Sequence, residues 1–287
     1  MIYIIGPAKI NRSWEHPFYM FSRSLSFILK KHNLENKVLS KVQDIITEND
    51  IAIIIQPYYR EINCKIIFVN SESLTVRKDV REQIQNGKNI SMIWDYHQKN
   101  LTLLKKWDKK SFLVAPFYHE FYEEHFKKID CKKDIDFLFY GRINERRKKI
   151  LDKLNLKYSV HTIETKDYEA LYNLINRSKI VLIINYYENS LEIDFYRLTF
   201  LLSNKIFVIN EEFQKEEKEL FDKFEGKLIC SKYENYYEDC EKYISLSQQE
   251  RDKMTEEVYK IFKKKFYLEK YVPIEEIKKL NDSTTNI

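Results

Sequence analysis

The stretch Asp136–Lys149 reads Asp-Phe-Leu-Phe-Tyr-Gly-Arg-Ile-Asn-Glu-Arg-Arg-Lys-Lys, and its hydrophobic period changes within a few residues. The apolar and aromatic run Phe137–Tyr140 predicts a buried strand. The residues after Gly141 predict an amphipathic helix whose inner face carries Ile150, Leu151 and Leu154. Open α/β sheets bind their ligands where a strand passes into a helix in this way, so we expect a ligand site at this turn.

The turn is rich in positive charge, with Arg142, Arg146 and Arg147 followed by two lysines. A helix N-terminus favours anions, and guanidinium groups bind phosphate oxygens in a bidentate manner. We therefore predict that Gly141, Arg142 and Arg146 hold a phosphate-bearing ligand. Lys148 and Lys149 fit a solvated helix face better. A single glycine excludes both the Walker loop and the dinucleotide fingerprint.

Composition places the chain among globular proteins of one large or two ordinary domains, with 287 residues, 44% apolar and 32% charged. The excess of Lys plus Arg over Asp plus Glu is 49 − 44 = 5, which is small for a nucleic-acid-binding protein, so we expect no nucleic-acid partner. Four scattered cysteines are typical of reduced thiols inside the cell. Without a signal peptide or an 18-residue apolar run, we expect a cytoplasmic protein with no transmembrane segment.

Strands and helices alternate through the first half of the chain. Continuous apolar runs predict strands covered by helices on both faces, at residues 2–5, 51–55, 66–69, 90–94 and 112–115. A polar, aromatic-rich segment from Tyr118 to Asp134 has no strand pattern and marks a boundary between domains. We therefore predict a first Rossmann-like domain over residues 1–130.

The second half repeats this alternation. After the strand at Asp136 we predict strands at 158–163, 180–185, 206–209 and 227–230, and helices at 167–178, 191–204 and 212–224. The closing segment 248–280 is predicted to be helical with an interruption at Pro273. The fold class is thus α/β, with a second Rossmann-like domain over residues 131–287 and the two domains facing across a cleft.

Polar side chains at the carboxyl ends of the predicted strands are candidates for chemistry. In the first half Asp95, His97 and Glu72 are candidate proton acceptors, although a lone histidine is more often structural. In the second half the candidates for ligand binding are Asn185, Glu192, Arg197 and Glu211. Two alternatives remain open: Glu192 could simply match the helix macrodipole, and Arg197 could be the partner of a nearby acid.

Metal ligands have little support in the sequence. There is no HxxxH motif and no close Cys or His pair. Asp134-Ile135-Asp136 spells DxD, but it precedes its strand and therefore belongs to the wrong end of the sheet for the site. We expect neither a metal nor another cofactor.

Two segments of the second half carry a family resemblance. The helix-strand unit from Leu191 to Glu211 resembles the donor-binding region of GT-B-type glycosyltransferases. Phe139–Arg147 is similar to the Phe-Tyr-Gly-x-x-Asn-x-Arg-Arg segment of small viral and bacterial members. The resemblance covers most of residues 136–211 in motif and the remainder in layout.

The resemblance implies a metal-independent enzyme of glycan biosynthesis that uses a nucleotide-sugar donor and a glycan or other small acceptor. It implies that Arg142 contacts the diphosphate, Glu192 the sugar or phosphate end, and Glu211 the ribose. Phe200 stands where many retaining members have a second acid, so retention and inversion both stay open. The alternative is a binding module of the same fold without turnover.

Overall fold

The computed structural model of the protein describes residues 1–7, 16–43, 45–56, 58–164, 167–188 and 191–285. The chain divides into two compact units. Unit 1 contains Met1–Phe117 and Tyr267–Ile287, and unit 2 contains Tyr118–Phe266. Each unit is an α/β unit with a wholly parallel sheet, which confirms the predicted fold class of two Rossmann-like domains.

Residues 1–117 form β1 (Ile2–Ile5), α1 (His16–Lys31), β2 (Asn36–Leu39), β3 (Ile51–Ile55), β4 (Lys65–Val69), α2 (Lys78–Asn86), β5 (Ile90–Asp95), α3 (Gln98–Lys106) and β6 (Ser111–Leu113). Residues 118–266 form α4 (Phe121–Glu124), β7 (Ile135–Tyr140), α5 (Glu145–Asn155), β8 (Val160–Ile163), α6 (Tyr168–Arg177), β9 (Ser178–Ile183), α7 (Phe195–Ser203), β10 (Val208–Glu211), α8 (Lys218–Asp222), β11 (Cys230–Ser231), α9 (Tyr236–Ile244) and α10 (Gln248–Lys265). Helix α11 (Ile274–Thr285) returns to unit 1. No helix in these described ranges is both long and apolar enough to cross a membrane.

The sheet of unit 1 has the order β2-β1-β3-β4-β5-β6. All five residues of β3 are buried, which agrees with the predicted strand at 51–55 and with coverage of both sheet faces. Helix α2 packs Val80 and Ile84 into the same core. The predicted strands at 2–5, 66–69, 90–94 and 112–115 correspond to β1, β4, β5 and β6.

The sheet of unit 2 has the order β11-β10-β9-β7-β8. Its first strand, β7, lies inside the sheet with β8 on one side and β9 on the other. The order of the strands therefore reverses between β7 and β9, and doubly wound sheets bind ligands in the crevice at the carboxyl end of such a switch point. The turn after β7 lies at this point.

The boundary predicted between residues 130 and 131 differs from the observed division. Phe121, Tyr122 and Phe126 are buried, and the ring of Phe126 packs against Tyr172 and Phe200 of unit 2. Apolar burial therefore assigns residues 118–130 to unit 2. At the other end of the chain, residues 267–287 belong to unit 1, where Lys65 Nζ donates a hydrogen bond to the carbonyl oxygen of Leu280.

Several elements predicted in the second half have different bounds, and two of these differences concern residues of the site. The helix predicted at 191–204 begins at Phe195, because the carboxylate of Asp194 accepts the backbone N–H of Arg197 and caps it. The strand predicted at 206–209 is Val208–Glu211, so Glu211 is the last strand residue and does not follow the strand. Strand β2 and helices α2, α4 and α9 were not predicted.

Candidate functional site

Gly141 ends β7 with a φ of +122°, a backbone conformation that residues with a side chain rarely adopt. Its N–H donates a hydrogen bond to the Ile163 carbonyl oxygen at 3.0 Å. Arg142, the next residue, is exposed. Asn144 then caps α5, since its side-chain oxygen accepts the N–H of Arg147 at 3.0 Å and its Nδ2 donates to the Tyr186 carbonyl oxygen at 2.8 Å. The turn is thus fastened to the chain after β9.

Arg146 and Glu211 form a bidentate ion pair that spans the carboxyl end of β9. Arg146 Nη1 donates to Glu211 Oε2 at 2.8 Å and to the Asn185 carbonyl oxygen at 3.0 Å, and its Nη2 donates to Glu211 Oε1. The N–H of Asn185 donates to Glu211 Oε2 at 2.8 Å. The guanidinium lies over the ring of Tyr233, with 3.9 Å between its carbon and the ring centroid. The side chain of Glu211 is 2% exposed and that of Arg146 is 14% exposed, so the pair is largely internal.

Arg147 is a buried cation in the first turn of α5. Its Nε and Nη2 donate to the Ile184 carbonyl oxygen at 2.9 and 2.6 Å, and its Nη1 donates to the Arg142 carbonyl oxygen at 2.6 Å. Burial, followed by the nearby charge of Arg197, lowers the pKa of Arg147 to about 10. This side chain joins the turn after β7 to the end of β9.

Arg197 is paired with Asp194, since its Nε donates to Asp194 Oδ2 at 2.6 Å. Its Nη1 donates to the Tyr140 carbonyl oxygen at 3.2 Å and would lie 3.6 Å from a Cβ atom built on Gly141. Of the two alternatives for Arg197, the structure shows the acid partner. Glu192 lies before Asp194 and therefore outside α7, so its predicted place on the helix was wrong.

The arginines of the site differ in whether a carboxylate of the protein neutralises them. The structure brings most of the residues predicted for the second half to the carboxyl edge of one sheet, namely Gly141, Arg142, Arg146, Asn185, Arg197 and Glu211. Arg146 and Arg197 are each neutralised by a carboxylate. Of the two arginines predicted to bind the diphosphate, Arg142 is exposed. Its role stays a prediction.

In unit 1 Asp95 is fully buried at the end of β5. Its Oδ2 accepts Asn70 Nδ2 at 2.7 Å, and its Oδ1 accepts the His97 N–H at 2.9 Å and Asn100 Nδ2 at 3.1 Å. Burial raises the pKa of Asp95 to about 7, against these hydrogen bonds, which lower it. The carboxylate orders the ends of two strands, and a base must reach its substrate, so these surroundings give the predicted catalytic role no support.

His97 and Glu72 have contrasting environments. His97 is 2% exposed, and burial followed by the charge of Lys99 holds its pKa well below the usual value. Its ring packs edge-on against Tyr96, with 3.6 Å between the centroids. The side chain of Glu72 is 35% exposed and lies 3.1 Å from Arg77 Nη1. Of the three predicted proton acceptors, Glu72 is therefore the one that is partly exposed, and the catalytic assignments stay predictions.

Comparison with solved structures gives the fold a name. The chain is similar to T4 phage beta-glucosyltransferase, with a TM-score of 0.53, 12% identity and coverage of 100% of this chain and 99% of that chain. A glycosyltransferase from Rickettsia africae gives a TM-score of 0.52 at 12% identity, with 99% and 98% covered. Sucrose-phosphate synthase from Thermosynechococcus elongatus gives a TM-score of 0.53 at 10% identity, with 93% of this chain and 79% of that chain covered. The chain has the GT-B fold.

At these identities the likeness concerns the fold alone. No protein-family model matches the chain, and no curated protein matches it either. The GT-B resemblance read from Phe139–Arg147 and Leu191–Glu211 is confirmed at this level.

Within the part of the chain that the structure describes, no three His, Cys, Asp or Glu side chains are grouped as metal ligands. The two acids of the DxD motif have other partners: Asp134 pairs with Arg177 and Asp136 with Lys179. Asp134 precedes β7 and Asp136 lies near its start, as predicted, at the edge opposite the Gly141 turn.

Four residues of the site were missed in the sequence, namely Asn144, Arg147, Asp194 and Tyr233. Asn144 and Asp194 both have a recognisable signal, because each is a short polar residue directly before an amphipathic run and caps the helix that follows. Arg147 is visible in the sequence as one of the basic residues of the turn, but neither it nor Tyr233 has a signal that shows its contacts. Their partners are set by the order of the strands in the sheet, which sequence spacing does not reveal.

Proposed function

We propose that the chain is a glycosyltransferase that moves a sugar from a nucleotide-sugar donor to a glycan or another small acceptor. The observation that carries this proposal is the basic, glycine-bearing turn at the β7/β9 switch point of unit 2. The GT-B fold supports it, because beta-glucosyltransferase neighbours were solved with the substrate uridine diphosphoglucose. In this proposal Arg142 and the N-terminus of α5 bind the diphosphate.

Catalysis in this proposal is the electrostatic stabilisation of the departing nucleoside diphosphate. The Arg142 guanidinium and the first N–H groups of α5 would take up the charge that develops on the leaving oxygen. We propose Glu192 for the sugar or phosphate end and Glu211 for the ribose. Glu211 Oε2 already accepts both Arg146 Nη1 and the Asn185 N–H, and Oε1 accepts Arg146 Nη2, so a contact with the ribose would use the remaining lone pair of Oε1.

The proposal is tested by thermal-shift measurements with UDP, GDP and CDP and with their sugars. A ligand at about 100 times its Kd adds about 2.7 kcal/mol to the free energy of unfolding, so one nucleotide should raise the melting temperature. Arg142→Ala should weaken binding by about 10- to 100-fold, since a hydrogen bond to a charged group contributes about 1.5–3 kcal/mol. Lys149→Ala removes an exposed cation further along α5 and should leave binding unchanged. If no nucleotide shifts the melting temperature, the donor hypothesis is wrong.

Turnover is measured as the release of nucleoside diphosphate from the bound nucleotide-sugar in the presence of an acceptor panel. We propose that transfer needs no metal, so it should persist in EDTA. The panel should include DNA, because one neighbour is described as a DNA-modifying enzyme.

The second candidate is a module that binds a nucleotide-sugar without transferring it. The burial of Asp95 and His97 favours it, because two of the three predicted bases are withdrawn from solvent. Tight nucleotide-sugar binding with no release of diphosphate over the whole acceptor panel would support this reading.

A further inference from the structure

Arg147 is a buried charge whose hydrogen bonds go to backbone carbonyl oxygens and not to a carboxylate. The residue is 5% exposed, and three of its five N–H groups donate to the carbonyl oxygens of Ile184 and Arg142. Among the residues that the structure describes, no carboxylate lies within ion-pair distance of its guanidinium. A buried charge without a counter-charge is costly, and an apolar side chain would fill the same space at less cost.

The neighbouring carboxylates of Asp194 and Glu211 favour the charge of Arg147 but do not outweigh its burial, because its pKa is still lowered. Glu211 is bound to Arg146 through both oxygens, and Asp194 is bound to Arg197. The rings of Phe139 and Tyr186 lie 5.2 and 5.1 Å from the guanidinium carbon, which gives some cation-π stabilisation. The positive charge of Arg197 opposes that of Arg147 and contributes to the lowered pKa of Arg147. The site therefore holds excess positive charge below its surface.

The hydrogen bonds of Arg147 place this charge at the switch point. One edge of the guanidinium holds the carbonyl of Arg142, at the turn after β7, and the other holds the carbonyl of Ile184, after β9. These are the two segments that flank the crevice of a doubly wound sheet. A rigid planar fork can hold two such segments in register, which a lysine cannot do in the same way.

We propose that Arg147 is the positioning residue of the diphosphate site, holding the Gly141–Arg142 turn against the end of β9 and supplying the buried counter-charge of the bound diphosphate. This inference rests on the proposed function for the identity of the ligand. It assigns Arg147 no direct contact with the ligand. Arg142 touches the anion, and Arg147 fixes the backbone that presents Arg142.

Arg251 provides a matched control. It is also a buried arginine, 4% exposed, whose guanidinium donates to the backbone carbonyls of Tyr243, Ile244 and Leu246, and burial lowers its pKa as well. It lies in α10, outside the strand-end segments that build the turn. Arg251→Met therefore removes a comparable buried cation and a comparable set of carbonyl contacts without touching the site.

The experiment is isothermal titration of the full chain with inorganic pyrophosphate and with UDP, GDP and CDP, together with a melting curve for each variant. Arg147→Met should weaken pyrophosphate binding by tenfold or more, whereas Arg251→Met should lower the melting temperature and keep the affinity. Arg147→Lys keeps the charge and loses the fork, so its affinity should lie between those of the wild type and Arg147→Met. In the Arg142→Ala background, Arg147→Met should cost less affinity than in the wild type, because part of its effect passes through the backbone that presents Arg142.

Three outcomes would overturn the proposal: a wild type that does not bind pyrophosphate, unchanged affinity in Arg147→Met, or an equal loss in Arg251→Met. If Arg147→Met does not fold, wild-type affinity in Arg147→Lys would count against the positioning role. Failure of the proposed function gives a different pattern. Pyrophosphate would then bind in an Arg147-dependent way, while none of the three nucleoside diphosphates binds more tightly than pyrophosphate and no sugar is transferred.

Discussion

Arg146 and Glu211 were predicted as separate ligand-binding residues, and the structure shows them bound to each other across β9. The residue types and their location at the edge of the sheet followed from the sequence. Their pairing did not, because it brings together positions 65 residues apart and depends on β9 lying between β7 and β10. Arg146 is therefore neutralised from within the protein, and Arg142 becomes the stronger candidate for the diphosphate.

Removal of one partner of this pair should be costly. Glu211→Ala leaves Arg146 largely buried without its carboxylate and the Asn185 N–H without its acceptor, so we expect a loss of about 3 kcal/mol in the free energy of unfolding. Glu212→Ala removes an adjacent exposed acid and should change stability little. Urea titration measures both. Equal effects of the two substitutions would show that the ion pair does not stabilise the fold.

Asp95 should make stability depend on pH in a direction unusual for a carboxylate. Its pKa is raised to about 7 by burial, so between about pH 4 and 7 the folded protein keeps a proton that the unfolded chain has lost. The free energy of unfolding should therefore fall as pH rises through this window and level off above it. The quantity to measure is the difference in this free energy between wild type and Asp95→Asn, by urea titration at several pH values.

Asp108→Asn is the control for this measurement. It removes the same charge at an exposed position with a φ of +54°, a conformation that asparagine tolerates well. The difference in the free energy of unfolding between the wild type and Asp108→Asn should not fall between pH 4 and 7. If the difference in the free energy of unfolding between the wild type and Asp95→Asn does not change between pH 4 and 7, the Asp95 carboxylate is ionised throughout the range.

At the scale of elements, the turn after β7 depends on a glycine. Gly141→Ala forces a side chain onto a backbone with a φ of +122°, although the built Cβ atom meets nothing closer than 3.6 Å. The cost is thus conformational and not steric, of the order of 1–3 kcal/mol, and relaxation of the turn should also weaken nucleotide binding. Gly226→Ala tests the same change at a φ of +69° with open space around it, away from the site.

Thermal-shift measurements on both glycine variants, with and without nucleotide, separate stability from binding. Both variants should melt at lower temperature than the wild type, and only Gly141→Ala should lose nucleotide affinity. Retained affinity in Gly141→Ala would argue against a ligand on this turn.

Elements with a continuous apolar pattern were predicted well, whereas elements with few apolar residues were not predicted. Strand β3 is an uninterrupted apolar run and was found within its correct bounds. Helix α2 buries two residues, Val80 and Ile84, among polar ones, and β2 is a four-residue edge strand with one buried residue, so neither has much periodicity to detect. The start of α7 was missed because the apolar pattern extends past the cap, Asp194, which sets the first turn.

At the scale of the whole molecule, unit 2 is continuous in sequence and unit 1 is not. The two ends of unit 2 lie side by side, since the N–H of Tyr118 donates to the Phe266 carbonyl oxygen at 2.9 Å. Unit 1 needs residues 267–287, which supply Leu268 and Ile277 as fully buried side chains. The sequence indicated two α/β halves, but it gave no sign that the closing segment completes the first of them.

This arrangement predicts an asymmetry between fragments. Residues 118–266 alone should fold cooperatively, whereas residues 1–117 alone should not, because part of their core is missing. Residues 1–117 joined to 267–287 by a short linker should fold, since the rings of Phe117 and Tyr271 lie 4.3 Å apart. Thermal melting followed by circular dichroism tests all three. A cooperative transition in residues 1–117 alone would contradict the prediction.

Because unit 1 is discontinuous in sequence, it is completed only after unit 2 has been synthesised. Residues 1–117 leave the ribosome first, yet the 149 residues of unit 2, from 118 to 266, must follow before the segment that completes unit 1 is made. At about 5–20 residues per second this delay is about 7–30 s, long compared with the collapse of a chain. Throughout that interval the apolar strands of the N-terminal segment lack their final cover. Nascent unit 1 should therefore depend on chaperones in the cell, whereas unit 2 can fold as it emerges.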